Sequence, residues 1–348
     1  MSLLHTAILE DIPPGSIILY GVLNWGLGHA SRSIPVINAL KESGHIVHVA
    51  TDGASLSLMQ KELTGVTWHE LPEITFLFPG RKIWQNIIAL VPAFIKHVML
   101  DCKHVGLLVN STGANVIVSD NRFVFNHLSV HKNIYITHQC RIYHRFKLVS
   151  SLLTTGHLFF IRRFDVCWIP DDPRKKLAGM LSDGIKNSII RYIGILSRLT
   201  LDVNAVKSID FLFLISGPEP QRTLFEAEIV KIGTDYDLGN VCLIRGSMTK
   251  RKPELQKLNW EVFDLANTQI ITEKLSTCRF LISRSGYSTL MDMSEIQAKV
   301  ILVPTPGQTE QEYLAENAKR LFPDVNVVRQ SRFKQFFSET FSFKNNNG

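Results

Sequence analysis

Short apolar, β-branched runs alternate along this chain with stretches in which apolar residues recur every three or four positions. The runs predict strands at 17–23 (IILYGVL), 45–51 (HIVHVAT), 66–71 (VTWHEL), 115–120 (NVIVSD), 133–138 (NIYITH) and 166–170 (VCWIP). Helical spacing lies between several of them, as in SIPVINALKES (33–43) and WQNIIALVPAFIKHVML (84–100). Such alternation predicts a parallel sheet covered on both faces. The segment 189–201 reads as the exit from this first unit. A second series follows at 210–217, 240–247, 279–286 and 299–306, again separated by helical patterns. The expectation is an α/β fold of two doubly wound, Rossmann-like domains, 1–198 and 199–348, with a ligand cleft between them. The polar tail at 342–348 is expected to fray.

A length of 348 residues suits two cores rather than one. Apolar residues at 45% and charged residues at 20% place the chain among globular proteins. The net charge of +7 is spread out, with no block of like charges; it fits anionic substrates or an anionic membrane surface and specifies neither. Nothing resembles a zinc finger, an RNA-binding aromatic signature or a basic arm, so nucleic acid is not an expected partner. The five cysteines are scattered, odd in number and without a CxxC pair, which predicts reduced thiols in a cytoplasmic protein. The N-terminal residues lack the pattern of a signal peptide, and no window approaches the ~20 apolar residues of a membrane span. Contact with a membrane is therefore expected to be peripheral at most, on its inner face.

Candidate chemistry gathers where strands turn into helices. In GVLNWGLGHASRS (21–33), Gly26 and Gly28 allow a tight turn and close backbone approach, and the amides opening the next helix face outward. The position for a third glycine is Ser31, and no strongly placed acidic residue ends the second strand, which disfavours NAD. His29 sits where a base working near neutral pH could stand, or serves as a polar cap without chemistry. Arg32 reaches an anionic ligand or lies on a solvated helix surface. In the second half, LISGPEPQR (214–222) offers Gly217 and Arg222 to a diphosphate. ISRSGYSTLMD (282–292) adds Arg284, Ser285 and Gly286 at a turn, with Ser288 and Thr289 at a helix start. Asp292, two turns on, suits ribose hydroxyls. VPTPGQTEQEYLAENA (303–318) carries Gln308, Glu310, Gln311 and Glu312, which suit sugar hydroxyls better than phosphate.

GxGHxxR at the first turn, SRSGYSTLMD late in the second half and VPTPGQTEQEYLAENA after it resemble GT-B glycosyltransferases, nearest to family 28 and its lipid-II-forming peptidoglycan N-acetylglucosaminyltransferases. The resemblance runs through nearly the whole chain in order. It implies a C-terminal domain that binds a UDP-sugar, with Arg284, Ser285 and Gly286 at the nucleotide. Asp292 stands where the family has a ribose-binding Glu. Gln311 and Glu312 fall on the family's paired glutamines at the donor sugar; Glu312 departs from that pair and puts the sugar's identity in doubt. Gly217 falls in the diphosphate loop, where Pro218 and Pro220 remove amide donors. His29 matches the glycine-loop histidine implicated in acceptor activation. THQC (137–140) is similar to the family's His-Glu-Gln segment, making His138 and Gln139 acceptor-cleft residues beside Gly26, Gly28 and Arg32; a satisfied histidine at a strand end is the competing reading of His138.

The implied reaction is inverting transfer of a hexose or hexosamine from a UDP-sugar to a hydroxyl acceptor, which includes lipid-linked and cell-envelope glycans. A hydrolase of the same fold and a non-catalytic nucleotide-sugar-binding protein are the alternatives. No cofactor and no metal are expected: Asp235-Tyr236-Asp237 reads as a loop, and Asp171-Asp172 as a strand end. The stretches 84–100 and 152–164 read mainly as core-facing helices, with a basic-aromatic patch that suits a lipid-linked acceptor. His5, His69, His97, His104 and His157 are expected on the surface.

Overall fold

In the computed structural model, residues 2–72, 83–174, 176–183, 189–217, 219–247, 249–293 and 295–341 are described, the side chains of 83–97 excepted. The expectations for Lys96, His97, Pro218 and the tail at 342–348 lie outside these. The first half runs α1 (Leu3–Asp11), β1 (Ile17–Val22), α2 (Leu27–Glu42), β2 (Ile46–Thr51), α3 (Gly53–Glu62), β3 (Thr67–Glu70), α4 (Ile83–Thr112), β4 (Val116–Asp120), β5 (Lys132–Ile136), α5 (Lys147–Ile161), β6 (Val166–Ile169) and β7 (Ile190–Tyr192). The second runs β8 (Ile209–Leu214), α6 (Gln221–Asp235), β9 (Val241–Ile244), α7 (Pro253–Gln256), β10 (Glu261–Phe263), α8 (Thr268–Thr277), β11 (Cys278–Ser283), α9 (Tyr287–Asp292), β12 (Lys299–Leu302), α10 (Thr309–Leu321), β13 (Val325–Val327) and α11 (Phe333–Thr340).

Every described strand pair is parallel. The first sheet has the order β3-β2-β1-β4-β5-β6-β7 and the second β10-β9-β8-β11-β12-β13. Strands buried on both faces read as near-continuous apolar runs, as in β4 and β6, where every residue is buried. The order reverses between β1 and β4 in one sheet and between β8 and β11 in the other. A crevice opens beyond the strand ends at each such point. One cluster of buried apolar residues joins the halves, from Leu177, Ala178 and Leu196 to Tyr287, Leu290, Met291 and Leu314. The cleft is therefore shut along a packed seam.

Several features differ from expectation. β7, β10 and β13 are three-residue strands, too short to show a period of two; β7 lies inside the segment read as a mere exit. α1 was unread; Asp11 at its end accepts a hydrogen bond from Trp168 Nε1 (2.7 Å) and pairs with Arg191 (2.9 Å). α5 is not a core-facing helix: only His157 and Ile161 are buried along it. His157, expected on the surface, is enclosed by Phe123 and Tyr135, and burial pushes its pKa down to about 4. His69 is half-buried and paired with His48 at 3.0 Å. Asp171 is fully buried and organises the loop after β6, accepting from the amides of Leu177 (2.9 Å) and Ala178 (3.0 Å). All five cysteines are unbridged.

Candidate active site

The two reversal points face each other across the seam. At the first, Gly26 takes a φ of 81° and caps α2. Gly28 is needed for closeness instead: a Cβ there would lie 3.0 Å from Ser288 Oγ, which donates across the seam to the Gly28 carbonyl (2.9 Å). The turn delivers His29 into the first turn of α2, directly over the end of β4. Asp120, the last residue of β4, is fully buried beneath it, with Oδ1 2.8 Å from His29 Nδ1.

Arg32 holds the same carboxylate. Its Nε donates to Asp120 Oδ2 (2.8 Å), its Nη2 to Oδ1, and Ser33 Oγ adds a third donor (3.0 Å). Burial alone would raise the Asp120 carboxyl, but Arg32 and then His29 hold it far below the usual carboxylate range. Nδ1 faces both Asp120 Oδ1 (2.8 Å) and Arg32 Nη2 (2.9 Å); the carboxylate favours the tautomer with the proton on Nδ1 and the lone pair on Nε2, and the guanidinium opposes it. Burial and the Arg32 charge depress the His29 pKa, with Asp120 opposing them, so the ring is neutral at physiological pH. The arrangement is a base with its orienting acid. Arg32 was expected to meet the acceptor; with 3% exposure and its guanidinium committed to Asp120, it is a brace of that pair instead.

His138, also expected at the acceptor, has both ring nitrogens engaged. Nδ1 receives an Arg32 Nη1 hydrogen bond (3.0 Å), so the proton sits on Nε2 and is donated to Glu310 Oε1 of the other half (2.8 Å). Its ring lies flat on Tyr287 at 4.1 Å, and Tyr287 donates back across the seam to the Pro170 carbonyl (2.6 Å). The satisfied reading of His138 thus describes the geometry, with a partner that spans the halves. Gln139 is half-buried beside it, its amide donating to Thr137 Oγ1 (3.1 Å).

The donor half is built differently. Arg222 is spent on Glu219 (2.6 Å) and Glu226 (2.6 Å). Arg284 lies over the Phe225 ring at 4.1 Å and donates to the carbonyls of Val303 (3.0 Å) and Gln221 (3.1 Å) and to Gln330 Oε1 (2.9 Å). Burial lowers its pKa to about 10. Both were expected to face the nucleotide; both are buried braces, Arg222 between two carboxylates and Arg284 under converging carbonyls. Around these turns lie hydroxyls and amides, with Ser285 and Thr305 buried among them. Ser285 Oγ donates to the Gln311 carbonyl (2.8 Å), and Gln311 Oε1 accepts from the Thr305 amide (2.9 Å). Ser288 and Thr289 are half-buried at the start of α9 after Gly286, while Glu312 is exposed. Gly217 is required for its φ of 113°, since a Cβ there would make only an ordinary contact with Thr305 Oγ1 at 3.9 Å. That Thr305 hydroxyl is buried with no hydrogen-bond partner among the described residues.

Asp292 accepts from Ser197 Oγ (2.7 Å); burial lifts its pKa to about 6 against that hydrogen bond and Arg198. Beside it a groove of about 500 Å³ is lined by Arg198, Thr200, Thr268 and Gln269, among others. Glu62 reaches over from the first half, accepting from the Thr268 amide (2.6 Å) and standing 3.5 Å from Arg198. Asp120, Tyr287, Thr305, Glu62 and Arg198 were not foreseen. Only Asp120 had a visible signal, as the acidic end of a strand neighbouring the glycine turn.

Two α/β domains with their strand-order reversals apposed define the GT-B fold. The family comparisons agree. Residues 16–141 match the model described as Glycosyl transferase family 1, and residues 225–330 match the Glycosyltransferase family 28 C-terminal domain. No curated protein matches the sequence significantly. Among solved structures, the chain is similar to the glycotransferase of kitacinnamycin (TM-score 0.61, 13% identity, 92% of this chain and 87% of that one). It is also similar to MurG of Acinetobacter baumannii (0.53, 10%, 94% and 91%), and to the spinosyn rhamnosyltransferase SpnG complexed with thymidine diphosphate (0.56, 14%, 93% and 90%). At these identities the structural likeness establishes the fold; the two family models, together with it, support a glycosyltransferase.

Proposed function

We propose that the protein transfers a hexose or hexosamine from a UDP-sugar to an acceptor hydroxyl, with inversion and without a metal. The observation that carries this reading is the His29–Asp120 pair, poised at one strand-order reversal and facing the hydroxyl-lined turns of the other. His29 Nε2 takes the acceptor proton as the acceptor oxygen bonds to the anomeric carbon. The bond from that carbon to the diphosphate oxygen breaks, and UDP leaves with the electron pair. The imidazolium that forms is stabilised by Asp120. Leaving-group charge is met by the Thr305 hydroxyl, by the Ser288 hydroxyl once it gives up the Gly28 carbonyl, and by amides around Gly217 and Gly286, held rigid from behind by Arg222 and Arg284. Asp292 and the neighbouring Arg198–Thr268 groove suit the nucleoside end, and Glu310, Gln311 and Glu312 the donor sugar. A bound sugar replaces the contacts now closing the seam, His138–Glu310 among them. Uridine rests on the motif resemblance; SpnG's thymidine diphosphate supports a pyrimidine nucleoside diphosphate.

A thermal-shift panel of UDP, GDP, ADP and UDP-sugars, run with EDTA, tests the donor. Uridine-specific stabilisation unaffected by chelation is expected; its absence removes the donor assignment. Sugar release at full rate without acceptor makes the enzyme a hydrolase instead.

A further inference from the structure

Arg32 Nη2 lies 2.9 Å from His29 Nδ1 while it also donates to Asp120 Oδ1. The guanidinium therefore competes with the carboxylate at the one nitrogen that decides where the His29 proton sits. A guanidinium only donates. Its hydrogen bond to Nδ1 needs a lone pair there, which puts the proton on Nε2 and blocks proton uptake. The position of Arg32 is thus part of the state of the base. Two grips set that position: Nε and Nη2 on Asp120, and Nη1 on His138 Nδ1 at 3.0 Å. The second grip is conditional. His138 Nδ1 accepts only while the His138 proton is on Nε2, and Glu310 Oε1 of the donor half, 2.8 Å from Nε2, keeps it there. With the proton on Nδ1 instead, two N–H donors would face each other, and the guanidinium would be pushed away. Tyr287, stacked on the His138 ring at 4.1 Å and within 3° of parallel, fixes the plane of that ring but not its tautomer. Arg32, Asp120 and His138 are buried, whereas the Glu310 side chain is 39% exposed and is the member a ligand can reach.

We infer that Glu310, His138 and Arg32 form a positioning relay that ties the proton of His29 to what Glu310 holds. With Glu310 on His138, as in this structure, His138 accepts from Arg32, and Arg32 keeps its claim on His29 Nδ1. When Glu310 turns to a hydroxyl-bearing ligand, His138 is released to its other tautomer and repels Arg32. Asp120 is then the one partner of His29 Nδ1, and the lone pair stands on Nε2, the nitrogen that takes the acceptor proton. No proton is gained or lost on the way: each ring moves its single proton between its two nitrogens. The base is armed by occupancy of the opposite half, 172 residues from His138 in sequence. His138 and Arg32 touch no substrate in this scheme; they act through Asp120 and His29. That the ligand at Glu310 is a donor sugar rests on the glycosyl-transfer reading; the coupling does not.

The experiment is two-bond ¹H–¹⁵N NMR of the full chain labelled on its histidine rings, which reads each tautomer directly. His29→Asn and His138→Phe assign the two sets of signals. Without ligand, and at a pH where both rings are neutral, Glu310→Ala and His138→Phe should each raise the ratio of Nδ1–H to Nε2–H on His29 about threefold or more. His138→Phe keeps a ring on Tyr287 but gives Arg32 Nη1 no acceptor, so the guanidinium loses its hold beside His29. The double variant should move the ratio no further than either single change, since both cut one chain. Additive effects overturn the relay, and so does a His29 ratio equal in wild type and all the variants. UDP-glucose or UDP-N-acetylglucosamine should raise the ratio in wild type and leave Glu310→Ala unmoved. If neither compound binds, the donor reading fails and the variants alone decide the relay. If one binds and the wild-type ratio stays put, the relay has no trigger and is overturned.

Discussion

The glycine turns of the two halves are the same device, a strand feeding a helix at a reversal of strand order, yet they handle charge in opposite ways. The first turn keeps an ionisable base at the cleft, with Asp120 and Arg32 packed behind it. The donor-half turns pull Arg222 and Arg284 into the interior, with hydroxyls and amides around the turns. A proton carrier needs a group whose charge changes at the surface of the cleft. A holder of a fixed anion is served by oriented dipoles that do not reorganise, and buried cations can keep those dipoles in place. The difference teaches that an arginine in a turn motif can serve as the turn's scaffold, as Arg222 and Arg284 do here.

The contrast can be broken by single substitutions. The largest effect is expected for His29→Ala, which should lower turnover by about 10²–10⁴-fold with nucleotide affinity nearly unchanged. Asp120→Asn should cost about 10²-fold, less than the base itself, in steady-state kinetics. It should also shift the pH profile. Wild-type activity should fall on acidification below pH 6.5, as the depressed His29 pKa is crossed, and loss of the Asp120 carboxylate should move that limb to still lower pH. In the donor half the expected readout is stability before chemistry. Arg284→Ala strips the buried carbonyls of their donors and should cost about 3 kcal/mol in denaturant unfolding, with nucleotide affinity lost alongside it. A variant that loses affinity at unchanged stability would show that Arg284 touches the ligand.

His157 sharpens the same contrast, since it is a histidine the fold keeps neutral for packing alone. Its folded pKa of about 4 lies below the unfolded value of 6.5, so its stabilising contribution is full above pH 6.5 and lost as pH falls towards 4. The loss should approach about 3 kcal/mol, and His157→Leu should flatten that part of the stability–pH curve. The smallest effect is expected for Glu312→Gln: at an exposed position, donor affinity should change by less than about twofold by calorimetry.

The strand-helix alternation was legible because parallel strands buried on both faces are unbroken apolar runs, and ten of them were read from 17–23 to 299–306. β7, β10 and β13 escaped because three residues carry no period. α5 was misread because apolar spacing reports which residues share a face, not whether protein covers it. At the site, Gly26, Gly28 and His29 were legible from local spacing. The pairing of His29 with Asp120 was not, since 91 residues separate them and only sheet order brings β1 beside β4. Arg32 and Arg284 were legible as cations at turns; their inward direction is a property of packing. The His138–Glu310 contact joins two halves across 172 residues and leaves no trace in either motif.

The most direct test is turnover of a UDP-sugar by wild type and His29→Ala, with nucleotide binding measured on both proteins. Loss of turnover by two orders of magnitude or more, with UDP bound equally well, is the predicted result. A variant that turns over donor as fast as wild type would remove His29 from the chemistry and contradict the assignment of the cleft.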